Sequence, residues 1–222
     1  MKKGKLIVLE GTDSSGKTTQ YNKLIEHLES DGKEIVKYHF PKHENLFGKV
    51  VDDYLMGEFG KKEDLAPEFI AMLYMTDFYN SKKEMENVLA KGKHIVLSRF
   101  FSSTLTYQVA LTPNERKDEV WKWINEVCSL LPQPDLTLVL TVAPEISQKL
   151  LDNVDNAESY KKGATKDQHE TDTKFQKNVF LEYKKNIDSL GWKEIECVEN
   201  NSLLPIEKIH EKIYLEVKKI IE

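Results

Sequence analysis

Glu10-Gly11-Thr12-Asp13-Ser14-Ser15-Gly16-Lys17-Thr18-Thr19 is the stretch on which the reading of this chain turns. An apolar run, Leu6-Ile7-Val8-Leu9, precedes it and predicts a buried strand. After it, Tyr21, Leu24, Ile25 and Leu28 recur at helical spacing. A strand, then G-x-x-x-x-G-K-T, then a helix make a P-loop. Its glycines let the backbone curl so that several N–H groups face one point. The helix that follows adds the positive end of its dipole. Residues Gly11 to Thr19 are therefore expected to cradle the phosphates of ATP. Lys17 supplies a positive charge for the β- and γ-phosphates, and Thr18 a hydroxyl for Mg²⁺. Asp13 is unusual, because it puts a carboxylate into a nest built for anions. Two readings stand for it: a turn or capping residue, or a carboxylate turned from ATP to accept from a sugar hydroxyl of a second substrate.

The 222 residues are expected to form one domain spanning 1–222, long enough to bury roughly 70% of the unfolded surface. Net charge is −5, with 31% charged residues, which gives no whole-protein attraction to nucleic acid. The basic N-terminus is followed by too short an apolar run for a signal peptide. No stretch approaches the length of a membrane span. Cys128 and Cys197 lack metal-ligand spacing and read as buried small hydrophobes in a reducing compartment, the cytoplasm. Of 32 basic residues only Arg99 and Arg116 are arginines, so planar bidentate phosphate clamps are scarce.

Further along, strands are expected at 34–40, 94–97, 136–142 and 194–198. Helices are expected at 46–55, over 65–91 as one or two, and at 101–109, 114–131, 144–151, 170–190 and 205–221. The alternation argues for an α/β fold, a five-stranded parallel sheet with helices on both faces. The polar stretch 152–168 reads as a short lid, with a plain surface loop as the alternative. Arg99 follows the third strand directly, and Ser103, Tyr107 and Gln108 come after it. Ligands of parallel sheets sit at the carboxyl ends of the strands, which sets Arg99 beside the P-loop.

With these motifs in hand, the chain resembles the thymidylate kinase family. Its P-loop matches E-G-x-D-x-x-G-K-[ST]-T-Q from Glu10 to Gln20. Phe40-Pro41-Lys42-His43 is similar to F-P followed by a basic residue. Ser98-Arg99-Phe100-Phe101-Ser102-Ser103-Thr104-Leu105-Thr106-Tyr107-Gln108 resembles D-R-x-x-x-S-x-x-A-Y-Q, and Pro134-Asp135-Leu136 precedes the fourth strand as in the family. The likeness runs over about residues 5 to 185.

The resemblance implies a P-loop NTPase fold and Mg-dependent transfer of the ATP γ-phosphoryl to dTMP, in a homodimer. Lys17, Arg99 and Asp13 would be catalytic, with Asp13 on the acceptor's 3′-hydroxyl. Tyr74 would stack on thymine, Tyr107 would select deoxyribose, and Phe40 would pack beside the acceptor. Ser103 and Gln108 complete that side. Four departures accompany the likeness. Ser98 replaces an acid that helps hold Mg²⁺, leaving Thr18 and Glu10 more of the metal's support. Lys42 or His43 replaces an arginine, and Phe78 stands where an arginine bonds the base. Gln168 replaces a lid arginine, with Lys161, Lys162 and Lys166 as substitute charge. Met72, Met75, Phe100 and Phe101 are open to either the dimer surface or the core. A kinase for another monophosphate or nucleoside, or a nucleotide-binding homologue with impaired catalysis, remain alternatives.

Overall fold

The computed structural model describes residues 3–12, 15–143, 146, 169 and 172–222. β1 (Leu6–Gly11) is buried along its whole length. An apolar run needs a strand on each side and helices on both faces to be so covered. β2 (Ile35–His39), β3 (His94–Ser98), β4 (Leu136–Thr141) and β5 (Lys193–Glu196) complete the sheet, in the order β2-β3-β1-β4-β5. Every pairing is parallel, as expected. The helices among the described residues are α1 (Lys17–Ser30), α2 (Leu46–Leu55), α3 (Pro67–Ala90), α4 (Phe101–Leu111), α5 (Lys117–Cys128), α6 (Thr173–Leu190) and α7 (Ile206–Ile221).

Successive side chains of a strand point to opposite faces, and β1 divides the core accordingly. Leu6 and Val8 join Met75 and Met85 of α3, Leu105 of α4 and Ile124 of α5. Ile7 and Leu9 join Leu24 and Leu28 of α1 with Ile209, Ile213 and Val217 of α7. Each such aliphatic side chain contributes about 1.5–3 kcal/mol by leaving water. A third cluster, with Tyr107, Val139, Phe175, Val179 and Tyr183, fastens α6 onto α4 and β4. Through these clusters the carboxyl ends of β1, β2 and β3 are held side by side.

Polar bonds lock α6 further. Asp172 caps it by accepting from the Phe175 N–H (2.9 Å), and Trp121 Nε1 donates to Asn186 Oδ1 (3.0 Å). Glu182, buried, accepts from Lys117 Nζ at 2.5 Å and Lys185 Nζ at 3.0 Å. Burial pushes its carboxyl up, but the two lysines outweigh burial and hold it below the ordinary 4.5. A depressed folded-state pKa gives stability that is complete above 4.5 and is lost as pH falls through the folded value. Glu182→Gln is therefore expected to melt below wild type at pH 7. That gap should narrow as pH drops below 4.5 in calorimetric scans; a gap constant down to pH 3 would contradict the assignment.

Some expectations needed adjustment. Residues 67–90 form one helix, because Pro67 sits in the first turn, where its missing N–H is not needed, and no glycine intervenes before Gly92. The 114–131 segment is a 3₁₀ turn, Asn114–Arg116, followed by α5. The last strand stops at Glu196, whose partner Thr141 ends β4. A small hairpin then forms from β6 (Val198–Glu199) and β7 (Ser202–Leu203). Asn200 and Asn201 turn it with φ of +50° and +58°, the left-handed pair that a tight hairpin requires. The expected helix 144–151, apart from Ile146, and the segment 152–168 lie outside the described residues.

Candidate active site

β1 ends at Gly11 with φ +145°, where a Cβ would stand 2.5 Å from the Leu140 carbonyl oxygen. Only glycine lets the chain turn there toward α1. Lys17, buried at the start of α1, donates from Nζ to the carbonyls of Gly11 (3.0 Å) and Thr12 (2.7 Å). Thr12 Oγ1 and Ser15 Oγ are buried with no hydrogen-bond partner among the described residues. Thr18 and Thr19 are exposed on the first turn of α1. Asp13 and Ser14 lie outside the described residues, so Asp13's two readings stand as they were.

Ser98, buried, ends β3 opposite Leu9 of β1. Arg99 follows in a left-handed conformation, φ +63°, and its N–H bonds the Leu9 carbonyl (3.2 Å). Its Nη1 lies 3.3 Å from Ser103 Oγ and 3.4 Å from the Tyr107 hydroxyl, with the guanidinium 5.4 Å from the Tyr107 ring centre. The tyrosine face favours the cation.

Glu10 is fully buried beneath this turn. Its Oε1 accepts from the Phe100 N–H (3.1 Å), the Ser103 N–H (3.1 Å) and Ser102 Oγ (2.5 Å). Its Oε2 accepts from Ser103 Oγ and from the Tyr183 hydroxyl (3.0 Å). Burial, then the Glu10 charge, push the Tyr183 phenol well above 10, so it keeps its proton to donate. The expectation that Glu10 supports a metal is corrected: protein donors occupy both oxygens. Among the described residues no group of three His, Cys, Asp or Glu side chains is arranged to hold a metal. Thr18, exposed, fits a Mg²⁺ that takes its other ligands from ATP phosphates and water, as this ion commonly does.

Beyond Arg99 opens a cleft. Phe40, Phe78 and Phe100 pack as its aromatic floor, Phe78 edge-on to Phe40 at 4.9 Å. Tyr74 and Tyr107 line it, as do Ser103, Thr104 and Gln108 of α4. Thr104 Oγ1 and both amide atoms of Gln108 are buried without a partner among the described residues. The peptide Phe40–Pro41 is cis.

Lys42 and His43 are not brought to the cleft. The Lys42 amine reaches Glu84 (3.5 Å) and lies over the Tyr38 ring, while His43 Nδ1 pairs with Asp52 at 2.7 Å. Met75, Phe100 and Phe101 belong to the core, and only Met72 of the four surface candidates is exposed. Lys161, Lys162, Lys166 and Gln168 lie outside the described residues. Sequence reasoning missed His169 and Thr104. His169 is bonded to the Tyr54 hydroxyl at 2.8 Å and lines the cleft. No local signal marks it, whereas Thr104 stands four residues before Gln108, so helical spacing puts both on one face.

The family model for thymidylate kinase matches residues 9–213. The thymidylate kinase of Plasmodium falciparum is 30% identical over 220 residues, covering 99% of this chain and 92% of the relative. That of Danio rerio is 26% identical over 214 residues, with 96% and 89% covered. The solved structure of thymidylate kinase from Candida albicans shares the fold, with a TM-score of 0.72 at 22% identity over 99% of this chain and 94% of that one. A family match of this extent, on a parallel sheet whose P-loop faces an aromatic cleft across an arginine, assigns the chain to the thymidylate kinase family.

Proposed function

We propose that the protein transfers the γ-phosphoryl group of ATP to dTMP, giving ADP and dTDP. The observation that carries the reading is the unpartnered Gln108 amide, with Thr104 Oγ1, inside an aromatic cleft. A buried polar group without a partner costs about 1–3 kcal/mol. A thymine edge offers an N–H donor beside a carbonyl acceptor, which suits an amide that has one of each. Aromatic walls suit a planar base, and Arg99 at the cleft's inner end suits the acceptor's phosphate.

An acceptor phosphate oxygen attacks the γ-phosphorus in line, and the bond from that phosphorus to the β–γ bridging oxygen breaks. The acceptor is already an anion, so no general base is required. The work is positioning and charge neutralisation. Lys17 exchanges its carbonyl partners for the β- and γ-phosphates, and Arg99 balances charge between donor and acceptor. Thr18 and Ser98 would help hold a Mg²⁺ ion, which when bound would add neutralisation on the phosphates. Asp13 serves the acceptor sugar, Tyr107 disfavours a 2′-hydroxyl, and Lys161, Lys162 and Lys166 add positive charge for the phosphates. A homodimer through the α2–α3 side fits exposed Met72. A cytoplasmic setting fits the two free thiols, each pushed up to about 12 by burial.

Phe78 and Ser98 motivate a second reading, in which another monophosphate is the better acceptor. The test is product formation with ATP and Mg²⁺ across the common ribo- and deoxynucleoside monophosphates. Fastest turnover of dTMP is expected. A faster acceptor would favour the second reading, and no product from any would refute both. Within the first reading, Gln108→Leu should raise the dTMP KM about tenfold and change kcat less than about threefold, the mark of lost ground-state binding. An unchanged KM would remove Gln108 from the base site.

A further inference from the structure

We propose that Glu10 is a positioning residue for phosphoryl transfer: its buried carboxylate clasps the first turn of α4 and so holds the Arg99 guanidinium at the acceptor. The inference rests on the reading that the cleft takes a nucleoside monophosphate.

α4 begins without a side-chain cap from its own sequence. The first N–H groups of a helix need acceptors, and an anion there is favoured by the dipole. Glu10 supplies both from β1, accepting from the N–H of Phe100 and of Ser103. Arg99 directly precedes this turn, and its own N–H is held by Leu9, the residue before Glu10. The left-handed arginine is thus fastened on both sides to the strand that carries the P-loop.

The side-chain path runs through Ser103. A hydroxyl has one hydrogen to give. Ser103 gives its hydrogen to Glu10, which turns the lone pairs of the same oxygen toward Arg99 Nη1, 3.3 Å away. Tyr183 donates to the same carboxylate oxygen from α6. A glutamine at residue 10 would set an NH₂ donor against these donors. Facing the hydroxyls, it would draw on the Ser103 oxygen that now serves Arg99. Facing the backbone, it would take the acceptor from the Phe100 N–H, while the Ser103 N–H would keep only its bond to the Phe100 carbonyl (3.0 Å).

The experiment compares kcat and KM for ATP and for dTMP in wild type, Glu10→Gln, Tyr183→Phe, Arg99→Ala and the double variant Glu10→Gln/Arg99→Ala. For Glu10→Gln, kcat/KM for dTMP should fall about 10- to 100-fold, as small misplacements of a reacting group do, with the ATP KM within about threefold of wild type. Tyr183→Phe, which removes the hydroxyl that bonds Glu10 and lies 3.2 Å from Ser103 Oγ, and which is outside the cleft lining, should show the same pattern at about three- to tenfold. It decides the matter if Glu10→Gln does not fold. The double variant should lose no more than Arg99→Ala alone, because both changes disable one unit. An ATP KM raised as far as the dTMP KM, additive losses in the double variant, or a wild-type kcat/KM for dTMP in whichever of the two single variants folds would overturn the proposal. A wild type that phosphorylates no monophosphate would instead overturn the functional reading on which the proposal rests.

Discussion

Lys17→Ala is expected to lose about three orders of magnitude in kcat, roughly 4 kcal/mol of transition-state stabilisation, while remaining folded. The Lys17 amine is buried and has two backbone carbonyls in reach, both belonging to the loop that ends β1. Carbonyls are weaker partners for a cation than phosphates, so the amine is poised to transfer to ATP when it binds. On the reading proposed above, removing it takes the P-loop's own cation from the donor phosphates. The lost carbonyl bonds are worth about 1–2 kcal/mol together, which a domain of this size survives. The check is a coupled ADP-release assay alongside thermal melting and dTMP calorimetry. Melting within a few degrees of wild type and dTMP affinity within about threefold are expected beside the lost turnover. Turnover near wild type would remove Lys17 from the mechanism.

Gly48→Ala should be the most damaging of the small substitutions in the helices around the cleft. The new Cβ would stand 1.9 Å from the Lys42 carbonyl oxygen and 2.3 Å from its carbon, which are backbone atoms with no rotamer to yield. The 42–45 loop is tied down elsewhere. Lys42 N–H donates to Asp77 Oδ2 (2.7 Å), and Asn45 Nδ2 to Asp77 Oδ1 (3.0 Å), while Asn45 Oδ1 caps α2 at the Gly48 N–H (2.7 Å). Relief of the clash must break that set or push Phe40 and Pro41 at the cleft. A cost of about 3 kcal/mol or more follows, or about 6–12 °C in melting temperature, with a raised dTMP KM. Gly32→Ala is the control. It has a φ of +75° with no atom near its Cβ, and should cost about 1 kcal/mol through backbone strain alone. A shift for Gly48→Ala no larger than the control's would show that the loop yields freely.

The contrast between these positions explains what the sequence could and could not disclose. β1, the P-loop and α2 were legible because their signals are local: an apolar run, glycines at set spacing, and an amphipathic stretch between loop residues. The parallel sheet with helices on both faces followed from the alternation of strands and helices, whereas its strand order, β2-β3-β1-β4-β5, is known only from the structure. The hairpin at Asn200–Asn201 escaped because two asparagines in left-handed conformation carry a turn that glycine more often marks. At the site, Arg99, Tyr107 and Gln108, singled out by local motifs, line one cleft. Lys42 and His43 were assigned to the acceptor by their resemblance to the basic residue that follows F-P in the family. Their direction is set by Glu84 and Asp52, partners that no spacing rule connects to them. Glu10 was read as a spare carboxylate next to the metal. Its donors come from residues 100–103 and 183, distant in the chain and adjacent only once the sheet exists.

The left-handed backbone of Arg99 bears on how this enzyme could be improved. A long L side chain in that conformation costs about 1–2 kcal/mol relative to glycine, which adopts it freely. A stability-guided redesign would single out residue 99 as a place to gain, and the substitution it recommends would discard the arginine that the proposed mechanism sets between donor and acceptor. Activity and robustness therefore pull in opposite directions at this one turn. Stabilising changes are better sought far from it, on the α7 side of the sheet, leaving the strained residue as it is.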